Sequence, residues 1–328
     1  MSEAALARRS RASHIIGQNI GLILAGSILL LAILVYVGVY LIQLHRVPGN
    51  FAVTSTVNSA MPLIFATVGQ SFVVLTKGID LSVGGVVDLS NAMAAVTMRN
   101  STGSMVLWSL VILLVGAACG LLNGLLVGLG RLQPIVVTLG TLSIFQGLAI
   151  RVLPQPGGAI PPGYTNVLVN PNHPYALIYV ALLALAWMGF RRIRPGVDLY
   201  AIGNDEAASR SLGIHVLRTK IIAYVLDGVL GAAAGLLLAA NATAGDATTG
   251  NGYTLTSIVA AVLGGISLFG GRGSAVGAIC GAFITTLIVN ILFFSHVDPL
   301  FQSFYEGLFL LIAVVAGGVI GGTIRRRR

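Results

Sequence analysis

Four acids lie in or beside stretches that are otherwise almost wholly apolar: Asp80, Asp88, Asp227 and Glu306. A charge carried to the centre of a bilayer costs about 2.5–3.5 kcal/mol or more, so such groups face a protein interior or water and keep a partner. In that setting an acid can cap a helix, hold a proton, or bind an ion or polar solute. Asp80 and Asp88 share the stretch TKGIDLSVGGVVDLS, residues 76–90, with Lys77 beside them. Asp80 directly precedes a new apolar run. There a carboxylate can accept a backbone N–H and is favoured by the positive helix end. The competing reading of Asp80 is a substrate or ion ligand on a broken helix. Asp88 lies two turns further in, on the same face as Asn91 and within reach of it. No cap explains Asp88, which leaves packing or the lining of a pathway. Asp227, in AYVLDGVLG, reads as an interhelical hydrogen-bond partner, and Glu306 as a hydrated group near the end of the last span.

Neutral amides accompany the acids: Asn58, Gln70, Asn123, Gln146 and Asn290. Each offers both a donor and an acceptor, which suits a hydroxyl-rich solute and equally joins helices. The candidates for lining a pathway are Asn58, Gln70, Asp80, Ser82, Asp88, Asn91 and Gln146. Catalysis finds no support. GxxxxGK[ST], HExxH and GxSxG do not occur, and GGRGS at 270–274 reads as a tight turn between apolar spans. The paired GxGD and YD motifs of a membrane aspartyl protease are also missing. This chain should therefore hold no ATP, metal or other cofactor of its own.

The elements that must position these residues follow from composition. Of 328 residues, 56% are hydrophobic and 9% charged, against about 25% charged in a soluble domain. The reading is an all-α polytopic membrane protein. The net charge of +9 does not indicate nucleic acid, because the basic residues flank apolar spans. Cys119 and Cys280 both fall inside spans and read as small apolar residues. A bilayer core of roughly 30 Å takes about 20 apolar residues as a helix. About ten transmembrane helices result, near 20–42, 53–76, 80–98, 105–130, 134–152, 175–190, 219–240, 253–271, 274–295 and 303–323. The third and eighth are interrupted by glycine and polar residues and read as discontinuous or re-entrant. With the N-terminus in the cytoplasm, alternation leaves only Arg46, Arg99 and Arg151 of the 19 basic residues outside, which places both termini in the cytoplasm. Three parts are expected: a cytoplasmic segment 1–19, one transmembrane domain 20–323 with a cytoplasmic loop 191–220, and a basic tail 324–328.

Gly116, Gly120, Gly124 and Gly128 recur every four residues along one helix face, which predicts close helix packing. The outer loop 153–174, rich in Pro, Gly and Asn, is expected to hold no regular helix; it reads as a connector or as a cap over an outer vestibule. No repeat of 20–50 residues occurs. Spans two to five and seven to ten form a candidate inverted repeat.

A cytoplasmic loop reads AIGNDEAASRSLGIHVLRTK, residues 201–220. Glu206-Ala207-Ala208 followed by Gly213 resembles the EAA loop of ABC importer permeases. TKGIDLSVGG at 76–85, LGTLSIFQGLA at 139–149, GNDEAASRSLGI at 203–214 and AAVLGGISLFGGRGSAVGAICGA at 260–282 occur in that order. Together, over about residues 50–320, they resemble the inner-membrane permease of ribose/xylose/arabinose-type bacterial ABC sugar importers. The resemblance implies a translocation pathway for a monosaccharide or similar small polar solute. It implies a second permease copy or homologue, two cytoplasmic ATP-binding subunits that carry ATP and Mg, and a periplasmic sugar-binding protein. It also implies coupling to the ATPase through Asn204, Glu206, Ala207, Ala208, Ser209 and Gly213. Four residues rather than three separate Ala208 from Gly213, as in this sugar branch. Lys77 replaces a frequent glycine, and Asp88 and Asn91 replace commonly small or apolar residues. A polyol or a nucleoside therefore stays open as cargo. The reading from a different class is a stand-alone secondary transporter driven by protons through Asp80, Asp88 or Asp227.

Overall fold

A computed structural model describes residues 3–298 and scattered positions from 301 to 315, with side chains from residue 21 onward. Glu306 and the tail 324–328 lie outside the described residues, and the span at 303–323 is described only in fragments. Twelve helices follow in order: α1 (Glu3–Leu44), α2 (Asn50–Leu75), α3 (Val83–Thr97), α4 (Thr102–Gly128), α5 (Pro134–Val152), α6 (Pro162–Leu168), α7 (Ala176–Phe190), α8 (Arg194–Asn204), α9 (Glu206–Ser211), α10 (Val216–Ala242), α11 (Asn251–Leu263) and α12 (Ala275–Phe294).

The expected ten crossings are not all full-length helices. Among the described residues six helices are long and apolar enough to cross a bilayer: α1 from Gly21, α2, α4, α5, α10 and α12. A seventh results if α7 and α8, bent by 75° at their junction, form one span. The expected third and eighth spans are shorter, 15 residues in α3, which begins three residues later than expected, and 13 in α11, which ends eight residues earlier. At 1.5 Å per residue these reach about 20–23 Å, short of a core of roughly 30 Å. Non-helical segments at 76–82 and 243–250 precede them. The outer loop departs from expectation too, because it forms the seven-residue helix α6, with Pro162 at its first position. Proline is tolerated there because the first helical N–H has no intrahelical partner anyway.

The most buried long helices are α2 and α10, and they pack on each other. Around them α10 contacts α3 and α4, while α2 contacts α11 and α12. Exchanging α2 for α10, α3 for α11 and α4 for α12 reproduces this pattern. One spacing of 166 positions relates the parts: Lys77 to Thr243, Asp80 to Asp246, Ser82 to Thr248 and Gly84 to Gly250. Lys77 (φ 65°) and Thr243 (φ 56°) both adopt the left-handed conformation as the chain leaves a long helix. Asp80 Oδ1 accepts from the Ser82 N–H and hydroxyl, as Asp246 Oδ1 does from those of Thr248. Gly84 and Gly250 face each other. A Cβ on Gly84 would lie 2.8 Å from the Gly250 carbonyl oxygen, and one on Gly250 would lie 2.6 Å from that of Gly84.

Apolar contacts hold the periphery. α1 packs on α12, where Tyr36 and Tyr40 set their rings against Phe294. Phe72 of α2 sits edge-on to Trp187 and Phe190 of α7. The four glycines of α4 all face α10. Added Cβ atoms would meet Gly228 and Ala232 from Gly116, Tyr224 from Gly120, Ile221 from Gly124 and Leu217 from Gly128.

Candidate functional site

Non-helical backbone inside an apolar layer must find hydrogen-bond partners within the protein. That requirement explains the polar residues gathered around 76–82. Gly78 N–H returns to the Val73 carbonyl at 3.1 Å. The Gln70 amide, wholly buried on α2, pairs with the Asp80 backbone, donating to its carbonyl at 3.0 Å and accepting from its N–H at 3.1 Å. The Thr138 hydroxyl on α5 accepts from Leu81 N–H at 3.0 Å and lies 3.3 Å from the Ile79 carbonyl. Asp80 Oδ1 takes the Ser82 N–H at 2.7 Å and the Ser82 hydroxyl at 2.6 Å. Asn123 on α4 donates to Ser82 Oγ at 2.7 Å and approaches Asp80 Oδ2 at 3.4 Å. Asp80 therefore does not cap α3. Ser82 holds the N-cap position, and Asp80 closes the turn before it. Its other contact is the side chain of Asp227 on α10.

The corresponding segment 243–250 also has its backbone groups met by side chains of another helix. Asn91 Oδ1 accepts from Asp246 N–H at 2.9 Å, and Asp88 Oδ1 accepts from Gly250 N–H at 2.5 Å. The expected Asp88–Asn91 contact is therefore absent, because both side chains turn to the chain leading into α11. Gly245 pairs through its N–H and carbonyl with Gly157 of the outer loop. That loop also donates from Ala159 to Ala95 and from Ile160 to Thr243, so it closes over the C-terminal ends of α3 and α10.

Two candidates lie elsewhere. Asn58 sits one turn before Pro62, which has no N–H to offer the Asn58 carbonyl. Asn241 of α10 supplies the missing donor at 2.9 Å, and the Asn58 amide itself donates to Asn170 of the outer loop at 3.1 Å. Gln146 is half-buried on α5, with no hydrogen bond to the cluster. Asn123, noted among the neutral amides but not as a pathway residue, completes the buried site with Thr138 and Tyr224, which do not stand out in the sequence. Their only signal is a polar group in an apolar run.

The candidates at 204–213 form a second arrangement. α8 ends at Asn204, and Asp205 caps α9 by accepting from Ala208 N–H at 3.0 Å. Ser209 is buried and donates to the Asp205 carbonyl at 2.7 Å, while Ala207 and Ala208 are exposed. Gly213 ends the turn at φ 82°, a conformation that favours glycine. Glu206 reaches Arg210 at 3.1 Å and Lys220 of α10 at 2.8 Å. Lys77 donates to the Asn204 carbonyl at 3.1 Å, and Gly271 N–H donates to the Leu75 carbonyl at 3.0 Å. Asn204 donates in turn to Tyr200 and Gly271. The end of α2, the start of α10 and the turn before α12 are thus tied to one short helical platform. Leu212 at 82% and Phe269 at 86% are exposed beside it. A cleft of about 170 Å³ runs inward from here, lined by Lys77, Gly78, Glu206, Lys220 and Tyr224.

Over residues 52–316 the chain matches the family described as the branched-chain amino acid transport system / permease component. The autoinducer 2 import system permease protein LsrC of Enterobacter sp. (strain 638) is 36% identical over 277 residues, 82% of this chain and 80% of the relative. The probable ABC transporter permease protein y4mJ of Sinorhizobium fredii is 38% identical over 274 residues, 81% and 80% of the two chains. The LsrC protein of Yersinia pseudotuberculosis is 34% identical over 281 residues, 83% and 79%. No solved structure matches.

Proposed function

Since the chain belongs to the family of branched-chain amino acid transport system permease components, we propose that two such chains, or this chain and a homologue, enclose a pathway for a small sugar-like solute. The chain is the transmembrane permease subunit of an ABC importer and not itself an enzyme; ATP hydrolysis belongs to separate subunits. That membership sets aside the stand-alone, proton-driven transporter.

Two ATP-binding subunits, carrying ATP and Mg, dock on the platform of α8 and α9, and a periplasmic binding protein delivers solute to the outer face. The transmembrane domain spans 20–323 as ten crossings. α3 and α11 cross together with the extended segments before them, and α7 and the span at 303–323 complete the count. Residues 50–128 and 216–294 form an inverted repeat. The segment 1–19, the loop 191–220 and the tail 324–328 face the cytoplasm. The resemblance to sugar permeases and the relatives named for autoinducer 2 import support the solute class.

The observation that carries this reading is the platform itself, where exposed apolar side chains surround a short capped helix bound by Glu206–Lys220 and Lys77–Asn204. Charge reversal tests it. Glu206→Lys sets a third cation beside Arg210 and Lys220, and should abolish both co-purification of the ATP-binding subunits and solute uptake while the chain stays monodisperse in detergent. Unchanged uptake and co-purification would refute the docking assignment.

A further inference from the structure

The buried pair Asp80–Asp227 is not explained by the backbone requirement described above. Both acids are almost fully buried, 3% and 1% exposed, and their carboxyl groups are in direct contact. An ionised carboxylate only accepts hydrogen bonds. A bond between two carboxyl groups therefore needs a proton on one of them, and two close carboxylates in one site cannot both stay ionised. Among the described residues neither acid forms an ion pair with a lysine, arginine or histidine. Neither Asp227 oxygen has a protein N–H or hydroxyl donor.

The groups facing the pair supply no charge to replace that proton. α4 presents Cys119 and Asn123, and α10 presents Tyr224, one turn before Asp227, with a buried and unpartnered hydroxyl. α2 carries no ionisable side chain, and Gly69 gives it the closeness: a Cβ there would stand 2.5 Å from Asp227 Oδ1. On α3, Asp88 is engaged with Gly250. On α5, Thr138 is engaged with the loop. Lys77 and Lys220 stand at the cytoplasmic mouth of the cleft, held by the Asn204 carbonyl and by Glu206. That cleft reaches Gly78, two residues before Asp80, and Tyr224, one turn before Asp227.

We propose that Asp80 and Asp227 form a proton-binding site in which a single shared proton fastens the discontinuity before α3 to α10. The ligand is the proton alone, bound and not transported, with Tyr224 as its way in. Removing it leaves two charges in contact across the α3–α10 junction, which must separate or take up water. The proposal does not depend on the nature of the solute or on the ATP-binding subunits.

Asp227→Asn tests it, because an amide donates permanently where the shared proton stood and preserves the net charge of the pair. In purified full-length chain in nanodiscs, the parent's unfolding midpoint should fall as pH is raised through the titration of the pair. The variant's midpoint should not. The parent's infrared spectrum should contain a deuterium-sensitive band of a protonated carboxyl that the variant lacks. Asp80→Asn, whose amide can donate in the opposite sense, serves equally if Asp227→Asn does not fold. An alkaline fall that persists unchanged in the variant would overturn the proposal. So would a parent spectrum without a protonated carboxyl, or a parent midpoint that rises with sodium or potassium chloride at fixed pH and does not rise in the variant, since the pair would then hold a cation.

Discussion

Gly120→Ala isolates the contact that sets the α4–α10 distance. The new Cβ would land on the Tyr224 carbonyl oxygen, 2.7 Å from the Tyr224 carbonyl carbon and 2.9 Å from the Val225 Cα. Ordinary Cβ contacts begin at 3.4 Å, so the helices must part by at least 3.4 less 2.7, or 0.7 Å, at this point. Every atom met is backbone, so no rotamer change relieves the clash. Overpacking of this kind costs about 1–3 kcal/mol, whereas alanine for glycine at an open helical position gains about 0.5–1 kcal/mol. Gly26 of α1 has nothing within 4 Å of its added Cβ and provides that open reference. That gain is common to both variants, which should therefore differ by the overpacking cost, about 1–3 kcal/mol. The displacement also carries Asn123, three residues on, away from Ser82 and Asp80. The assay is the unfolding midpoint of each variant in matched detergent, followed by size-exclusion recovery after heating. Gly120→Ala should fall clearly below the parent, and Gly26→Ala should equal or exceed it. Equal midpoints for the two variants would refute the argument that glycine here is required by backbone contact.

Three further outcomes are expected. Asp88→Ala leaves the buried Gly250 N–H without its acceptor, at a cost of about 1–3 kcal/mol, while Asp88→Asn keeps an oxygen there; folded yield should drop for the first and largely recover for the second, and equal losses would make the charge the essential property. Lys77→Met keeps the stem that packs on Gly270 but loses the bond to Asn204, so ATP-binding subunits should still co-purify while solute uptake per ATP falls; unchanged coupling would remove Lys77 from the transmission route. Gly213→Ala forces alanine to φ 82°, a strain of about 1–2 kcal/mol, and should loosen subunit binding measurably in a pull-down; full retention would show that the turn tolerates another shape.

Long apolar runs made α2, α4, α5, α10 and α12 legible in the sequence, because one bilayer length of helix leaves a local signature. The four-residue spacing of Gly116 to Gly128 likewise announced a close-packed face, though not that α10 would fill it. The discontinuities were harder to read. GIDLS looked like a helix start, since Asp80 precedes an apolar run, but the helix begins three residues later and Asp80 closes the turn leading into it. Local spacing suggested an Asp88–Asn91 pair, whereas both residues serve backbone groups of a segment more than 150 positions away. The same limit hid Asp227 as the partner of Asp80. The 166-position correspondence stayed faint because few residues enforce it: Asp80 and Asp246, Gly84 and Gly250, and Ala94-Ala95-Val96 with Ala260-Ala261-Val262. Helix packing tolerates exchange elsewhere, so identity survives mainly where the backbone leaves helical geometry or two helices cross closely. At the platform of α8 and α9, the EAA-like stretch was visible from its own residues. Its ties to Lys77 and Lys220 depend on how the chain returns.

The central claim is that this chain acts as the membrane subunit of an ATP-driven importer through α8 and α9. Native mass spectrometry of the tagged chain, isolated from its own host in mild detergent, tests that most directly. One complex containing two permease chains and two ATP-binding subunits is expected, with the ATP-binding subunits lost in Glu206→Lys. Recovery of the chain alone, under conditions in which a known ABC complex from the same membranes stays intact, would contradict it.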